Sequence, residues 1–258
     1  NFTNKFPHAP WLAVWSRVLD VPFLGSRMSF DWRLTPKPRE ANILLREITD
    51  GVFSQPRELT TSDVSPQHVE AFRKSVRSHL AWQGKRRFLH KHTGFPRIAW
   101  LSQVFPDARF IHISRDGRAV ANSMVNVSWW DGTMDSWWWG AMAPEDKKAF
   151  SSFEEDPAIL GGVVWKTLMD HIQKGCANLS ADKFLEVRYD EMVSSPKTTM
   201  ARVLEFCDLP PSRRFDNRVS SIRVHDYDDK WKKDLSLSSQ QNLQHYLAPH
   251  LERHGFSL

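Results

Sequence analysis

Phe110-Ile111-His112-Ile113 is a short run of β-type residues that stops abruptly at Ser114-Arg115-Asp116-Gly117-Arg118. A helical run through Ser123 and Met124 follows at once. A strand this short, turning straight into a helix, must find its ladder partners far away in the chain. When the connections are helices, those partners run parallel and the crossovers are right-handed.

The rest of the chain reads the same way. Arg87–His90, Arg109–Ile113 and Phe184–Val187 are expected as short strands, and 36–52, 66–82, 96–104, 156–177 and 238–254 as helices. Ile43, Leu44 and Ile48, and Val69, Phe72 and Val76, recur at helical spacing. Asp156-Pro157 and Ser195-Pro196 place a capping side chain before a proline at the first helical position. A further short helix is expected near Trp11–Leu19, and 125–156 is expected to be irregular. The fold class is therefore α/β, with a central, mainly parallel sheet and many helices.

At 258 residues and 41% hydrophobic, the chain can build one sizeable core. One domain spanning 1–258 is expected. The net charge of +5 reads first as a mildly basic surface and, more sharply, as an anion-binding groove; the longest basic cluster, Lys85-Arg86-Arg87, is too short for a duplex-binding surface. Cys176 and Cys207 make no disulfide framework and are expected as buried thiols. No apolar run approaches the ~20 residues of a membrane span. No signal peptide is visible, so a cytoplasmic protein is expected. Histidines and carboxylates lack ligand spacing, so no metal is expected.

In an open parallel sheet, ligands gather beyond the carboxyl ends of the strands. The strand at 110–113 delivers Arg115 there. Gly117 permits a tight turn, and the following helix offers free N–H groups and a positive dipole end. Ser123 can turn its hydroxyl to the same place. A guanidinium fork, a hydroxyl and amides suit a phosphate; a surface arginine paired with Asp116 or Asp107 is the plainer reading.

This segment, Ser-Arg-Asp-Gly-Arg-x-x-x-x-Ser preceded by Phe105-Pro106-Asp107-Ala108-Arg109, resembles the 3′-phosphate-binding segment of the PAPS-dependent sulfotransferases. Three more stretches follow the family's order. Leu89-His90-Lys91-His92-Thr93 through Leu101 resembles its lysine-containing acceptor segment. Val187-Arg188-Tyr189-Asp190-Glu191-Met192 with Pro196 is similar to its strand-Tyr-Glu-Asp run. Lys230-Trp231-Lys232-Lys233-Asp234-Leu235-Ser236 resembles the loop that closes over the nucleotide. The resemblance spans roughly 88–254.

It implies a P-loop-like three-layer α/β/α fold and a sulfotransferase that moves a sulfuryl group from PAPS to a hydroxyl or amine and releases PAP, with no metal. It implies 3′-phosphate contacts from Arg115 and Ser123, an adenine contact from Tyr189, and a lid of Trp231, Lys232 and Lys233. Lys91 would stabilise charge, and His90 or His92 would be the base, since imidazole titrates near neutrality. The acceptor is a small molecule or a glycan, nucleic acid is not a partner, and a homodimer is compatible with this reading. The family's Pro-x-Ser-Gly-Thr-Thr-type loop for the 5′-phosphosulfate has no match in the sequence and is expected upstream of Asn1.

Trp129, Trp130, Trp137, Trp138 and Trp139 exceed what an irregular segment needs for its core. They form either an apolar or sugar-stacking acceptor surface or a covering for the sheet edge. Two rival functions remain. A non-catalytic nucleotide or single-stranded nucleic-acid binding protein would use the charge and the tryptophans. A nucleotide-dependent kinase relative would need a phosphate loop, and no Gly-x4-Gly-Lys-Ser/Thr occurs.

Overall fold

A computed structural model describes residues 9–14, 17, 40–222 and 225–258. The expectations for 1–8, 15–16, 18–39 and 223–224 lie outside the described residues. The chain forms two compact units, Asn1–Pro106 and Asp107–Leu258.

In the first unit, Pro10–Val14 is a 3₁₀ turn and Arg17 is helical; the rest of the helix expected at 11–19 lies outside the described residues. Helices α1 (Asn42–Ile48), α2 (Pro66–Gln83) and α3 (Ile98–Val104) follow. Ser65 caps α2 by accepting from the His68 amide, Pro66 occupies its first position, and Gly84 ends it in the left-handed region at φ 64°. Leu45, Phe53, Leu59, Phe72, Val76, Trp100 and Val104 form the core. Arg97 is buried beside it and donates to three carbonyls, those of Phe53 (3.0 Å), Gln55 (2.5 Å) and Arg57. One guanidinium thus satisfies carbonyls of the 3₁₀ turn Val52–Ser54 and of the irregular backbone after it.

The strand expected at Arg87–His90 does not form. Phe88 and Leu89 are 44% and 91% exposed, so the segment buries no face. Apolar composition alone does not make a strand without a packed side and a ladder.

In the second unit, β1 (Phe110–Ser114) leads into α4 (Gly117–Val125). Next come α5 (Pro144–Ser152), α6 (Pro157–Cys176), β2 (Phe184–Arg188), α7 (Tyr189–Ser194), α8 (Pro196–Phe206), α9 (Arg213–Ser221), α10 (Trp231–Asp234) and α11 (Leu237–Arg253). β1 and β2 pair in parallel, with Phe110 opposite Phe184 and Ser114 opposite Arg188. Helix α5 lies inside the segment expected to be irregular. Pro144 at its start and Glu145 and Asp146 in its first turn are ordinary helix-opening chemistry. Cys176 and Cys207 are half-buried and unbridged, and burial pushes the Cys176 thiol up to about 11.

Helices α4 and α6 approach closely because Gly161 carries no side chain. A Cβ there would lie 2.8 Å from the Ala121 carbonyl oxygen and 2.9 Å from its Cα. Leu243, Leu247 and Leu251 repeat every four residues along α11 and are wholly buried. Asp146 accepts from Lys166 (2.6 Å) and from the Tyr246 hydroxyl (2.8 Å), joining α5, α6 and α11 through one buried carboxylate. Burial, with Asp146 close by, holds the Tyr246 hydroxyl well above its usual pKa.

Two stability outcomes follow from this packing. Gly161→Val forces a branched side chain against helix backbone and lowers urea-unfolding stability by at least about 1–3 kcal/mol. Asp146→Ala leaves Lys166 buried without its partner and costs about 3–5 kcal/mol in the same assay.

Candidate nucleotide site

The turn between β1 and α4 is fixed from three directions. Asp116 caps α4 by accepting from the Arg118 amide at 2.8 Å. Gly117 lies under the Trp165 indole, where a Cβ would meet the ring at 2.7 Å. The Trp165 Nε1–H donates to the Arg115 carbonyl at 3.0 Å. Trp165 is therefore a core residue that holds the site's backbone, and its ring also meets His254 and Phe256 edge-on.

Arg115 leaves this turn with its side chain 21% exposed. Its Nε donates to Asp228 Oδ1 at 2.7 Å, and its guanidinium lies 4.4 Å from the centre of the Tyr189 ring. Burial raises the Asp228 carboxyl above its ordinary pKa, against the opposing pull of Arg115. The Tyr189 hydroxyl donates to the His225 carbonyl at 3.1 Å.

Two cavities meet at Arg115. One, of about 450 Å³, is lined by Arg115, Ala119, Asn122, Ser123, Asn126, Tyr227 and Lys230. The other, of about 430 Å³, brings Arg115 together with Arg118, Arg188, Tyr189, Trp231, Lys232 and Phe256. In the second cavity each of three guanidiniums rests on a ring: Arg115 on Tyr189, Arg118 on Trp231 at 5.1 Å and Arg188 on Phe256 at 4.3 Å. Acids accompany them. Arg118 pairs with Asp116 at 2.6 Å, and Arg188 with Asp190 at 3.0 Å. Arg118 also donates to the Ser257 carbonyl, and Arg188 to that of Gly255.

Helix α10 sits on α4 through two contacts. Trp231 is buried under Arg118, and Asn122 donates to Asp234 at 2.8 Å. Lys232 projects beside Trp231 and pairs with Asp229. Lys233 is exposed and lines neither cavity. The sequence reading passed over Asp228, Tyr227 and Arg188, although Asp228-Asp229-Lys230 directly precedes the tryptophan of α10.

The histidine pair belongs to the first unit. The His92 Nε2 bonds the Phe95 carbonyl at 2.8 Å across a turn in which Gly94 takes φ 85°. Since a carbonyl only accepts, Nε2 carries the proton and Nδ1 holds the lone pair. Nδ1 is buried and has no hydrogen-bond partner among the described residues. The ring meets Phe53 edge-on at 5.2 Å, and burial lowers the His92 pKa to about 4. His90 stacks on Phe88, its Nε2 is buried without a hydrogen-bond partner among the described residues, and burial lowers its pKa while Glu40 opposes that. Lys91 is 73% exposed and pairs with Glu40 at 2.8 Å.

The tryptophan segment collects around Trp139, which is 3% exposed and meets the rings of Trp129, Trp130, Trp137 and Trp138 at 5.0–6.1 Å. Trp129 and Trp138 remain largely exposed. No cluster of three or more metal-ligating side chains occurs among the described residues. No helix among them is long and apolar enough to cross a membrane.

A family model described as "Sulfotransferase family" matches residues 27–213, well over half of the chain. The chain belongs to the sulfotransferase family. Protein-tyrosine sulfotransferase A of Caenorhabditis elegans is 24% identical over 54% of this chain and 30% of its own length. Protein-tyrosine sulfotransferase 1 of Danio rerio is 23% identical over 62% of this chain and 45% of its own. The sulfotransferase chain described here thus spans less than half the length of these curated relatives. A crystal structure of sulfotransferase STF9 from Mycobacterium avium has the same fold, with a TM-score of 0.52 and 16% identity over 99% of this chain and 66% of that one. An α/β fold of P-loop-like type is thereby shown, and membership makes a group-transferring enzyme the general expectation.

His92 sets a pH dependence of stability. Its folded pKa lies below the unfolded value of ~6.5, so between pH 6.5 and about 4 the unfolded chain binds the extra proton. Stability conferred by the neutral ring is complete above pH 6.5 and declines as the pH falls towards 4. His92→Gln, which keeps an N–H for the Phe95 carbonyl, flattens that part of the urea-midpoint-versus-pH curve.

Proposed function

We propose that this sulfotransferase binds PAPS through Arg115 and transfers its sulfuryl group to a hydroxyl, releasing PAP. The observation that carries the reading is the meeting of Arg115 and Ser123 in one cavity, at the strand end where the family's 3′-phosphate segment falls. Both Arg115 Nη groups make no hydrogen bond among the described residues, which leaves a fork for a phosphate. Ser123 and Lys230 add a hydroxyl and a second cation. Tyr189, Trp231 and Lys232 line the adjoining cavity, which suits them to the adenosine side of the ligand. Lys233 serves as a peripheral cation of the lid.

Sulfuryl transfer is an in-line displacement at sulfur. It needs a base for the acceptor hydroxyl and cations for the developing charge. Of the two histidines, His90 is the better base, because the bond to the Phe95 carbonyl leaves the His92 lone pair on a buried Nδ1 and burial has lowered its pKa to about 4. Lys91, exposed and held by Glu40, supplies the mobile cation. The whole chain is read as one sulfotransferase-like domain whose residues include no match to the 5′-phosphosulfate loop. The curated relatives carry protein tyrosine in their names, so a tyrosine phenol is the first acceptor to try. The exposed faces of Trp129 and Trp138 suit an aromatic or glycan acceptor.

Isothermal titration with PAP tests the donor site. Arg115→Ala weakens PAP binding at least about tenfold, the loss expected for a charge-assisted hydrogen bond. Equal affinity in parent and variant removes the assignment. Tighter binding of a single-stranded oligonucleotide than of PAP turns the reading towards nucleic acid. In a sulfuryl-transfer assay with a tyrosine peptide, His90→Ala lowers kcat by about 10²–10⁴ while PAP affinity holds, the range for a lost general base.

A further inference from the structure

We propose that Asp228 is a positioning residue that aims the Arg115 fork at the nucleotide phosphate and, with the face of Tyr189, makes the site selective for a phosphate at that position. The inference rests on the donor-binding reading above.

The geometry is specific about which part of the guanidinium is used. Asp228 Oδ1 takes the Nε–H, side-on, at 2.7 Å, and no hydrogen bond to either Nη exists among the described residues. Arginine–carboxylate pairs are frequently bidentate, with two parallel N–H···O bonds, whereas this pair uses the Nε–H alone. Here the side bond fixes the last torsions of a long, otherwise mobile side chain. The Tyr189 ring, 4.4 Å away, blocks one face of the plane. With one edge and one face taken, the two Nη groups have a fixed direction. Rotamer freedom that a lone arginine would lose on binding is already lost.

The supports are themselves anchored. The Tyr189 hydroxyl is tied to the His225 carbonyl, and Asp228 accepts from Arg115 within a 3₁₀ turn, Asp228–Lys230, that leads directly into α10. Asp228 lies 113 positions from Arg115 in the chain, so neither residue's immediate sequence context announces the pairing. The carboxylate is 24% exposed, and its neighbours at the cavity wall include Asp116, Asp229 and Lys232. A residue on such a turn can be changed with little disturbance to the buried leucines of α11.

The experiment compares PAP with 5′-AMP, which lacks only the 3′-phosphate, on the full chain by isothermal titration. The parent prefers PAP. Asp228→Ala, which removes the side bond, weakens PAP about tenfold and leaves 5′-AMP unchanged, the scale of one hydrogen bond to a charged group. Asp228→Asn retains an oxygen for Nε and recovers most of the PAP affinity. A double-mutant cycle supplies the readout that a purely structural role would not move. In an Arg115→Lys background, where no side-on donor exists, Asp228→Ala has no further effect on PAP. Unchanged or tighter PAP binding by Asp228→Ala overturns the proposal, because the carboxylate is then idle or competes with the phosphate. Equal loss for PAP and 5′-AMP also overturns it, as does additivity in the cycle. A parent that does not distinguish PAP from 5′-AMP sinks the donor-site reading itself, an outcome separate from any effect of Asp228.

Discussion

The Trp165 indole donating to the Arg115 carbonyl is the contact on which the candidate site depends. It ties the turn after β1 to the middle of α6, and α6 is pressed against α4 by the absence of a side chain at Gly161. The backbone that presents Arg115 is therefore set by a close approach of two helices. The same indole roofs Gly117, so the position that begins α4 has no room for a Cβ. Phosphate recognition at a strand end needs such fixation, because a fork on a loose turn would lose in ordering what it gained in contact.

A second theme is the covering of cations by rings. Arg115, Arg118 and Arg188 each lie on an aromatic face and each has a carboxylate partner. A cluster of three guanidiniums would repel itself, and the acids and ring faces offset that repulsion before any ligand arrives. Trp231 is drawn into this arrangement from α10, so the motif resembling a lid is already packed on α4 through Arg118 and the Asn122–Asp234 bond.

Much of this was legible in the sequence, for identifiable reasons. The strand at Phe110 stood out because branched residues end at a sharp polar turn. Asp156 before Pro157 marked the start of α6 and caps it, and Ser195-Pro196 marked the start of α8, although there the proline opens the helix without a capping bond from the Ser195 side chain. Arg87–His90 failed because strand formation depends on a ladder and a buried face, neither of which is encoded in four residues. Helix α5 was hidden by the tryptophans before it, although Pro144 with two acids after it was a readable signal. Arg115 and Ser123 could be placed together because a strand–turn–helix fixes their spacing. Asp228 could not be found, since its partner is distant in the chain. The commitment of His92 to the Phe95 carbonyl was likewise invisible to spacing rules, and it moves the expected base towards His90.

The parallel register of β1 with β2 also governs how the molecule assembles. Phe110 can meet Phe184 only after the intervening chain, including all of α5 and α6, has been drawn into a closed loop. Parallel pairing of this kind is entropically slow, whereas the helices between can form from local contacts. The hydrogen-bonded edge that presents the guanidinium is thus among the last features to become native. A nascent or partly unfolded molecule would carry its helices well before it could recognise a nucleotide.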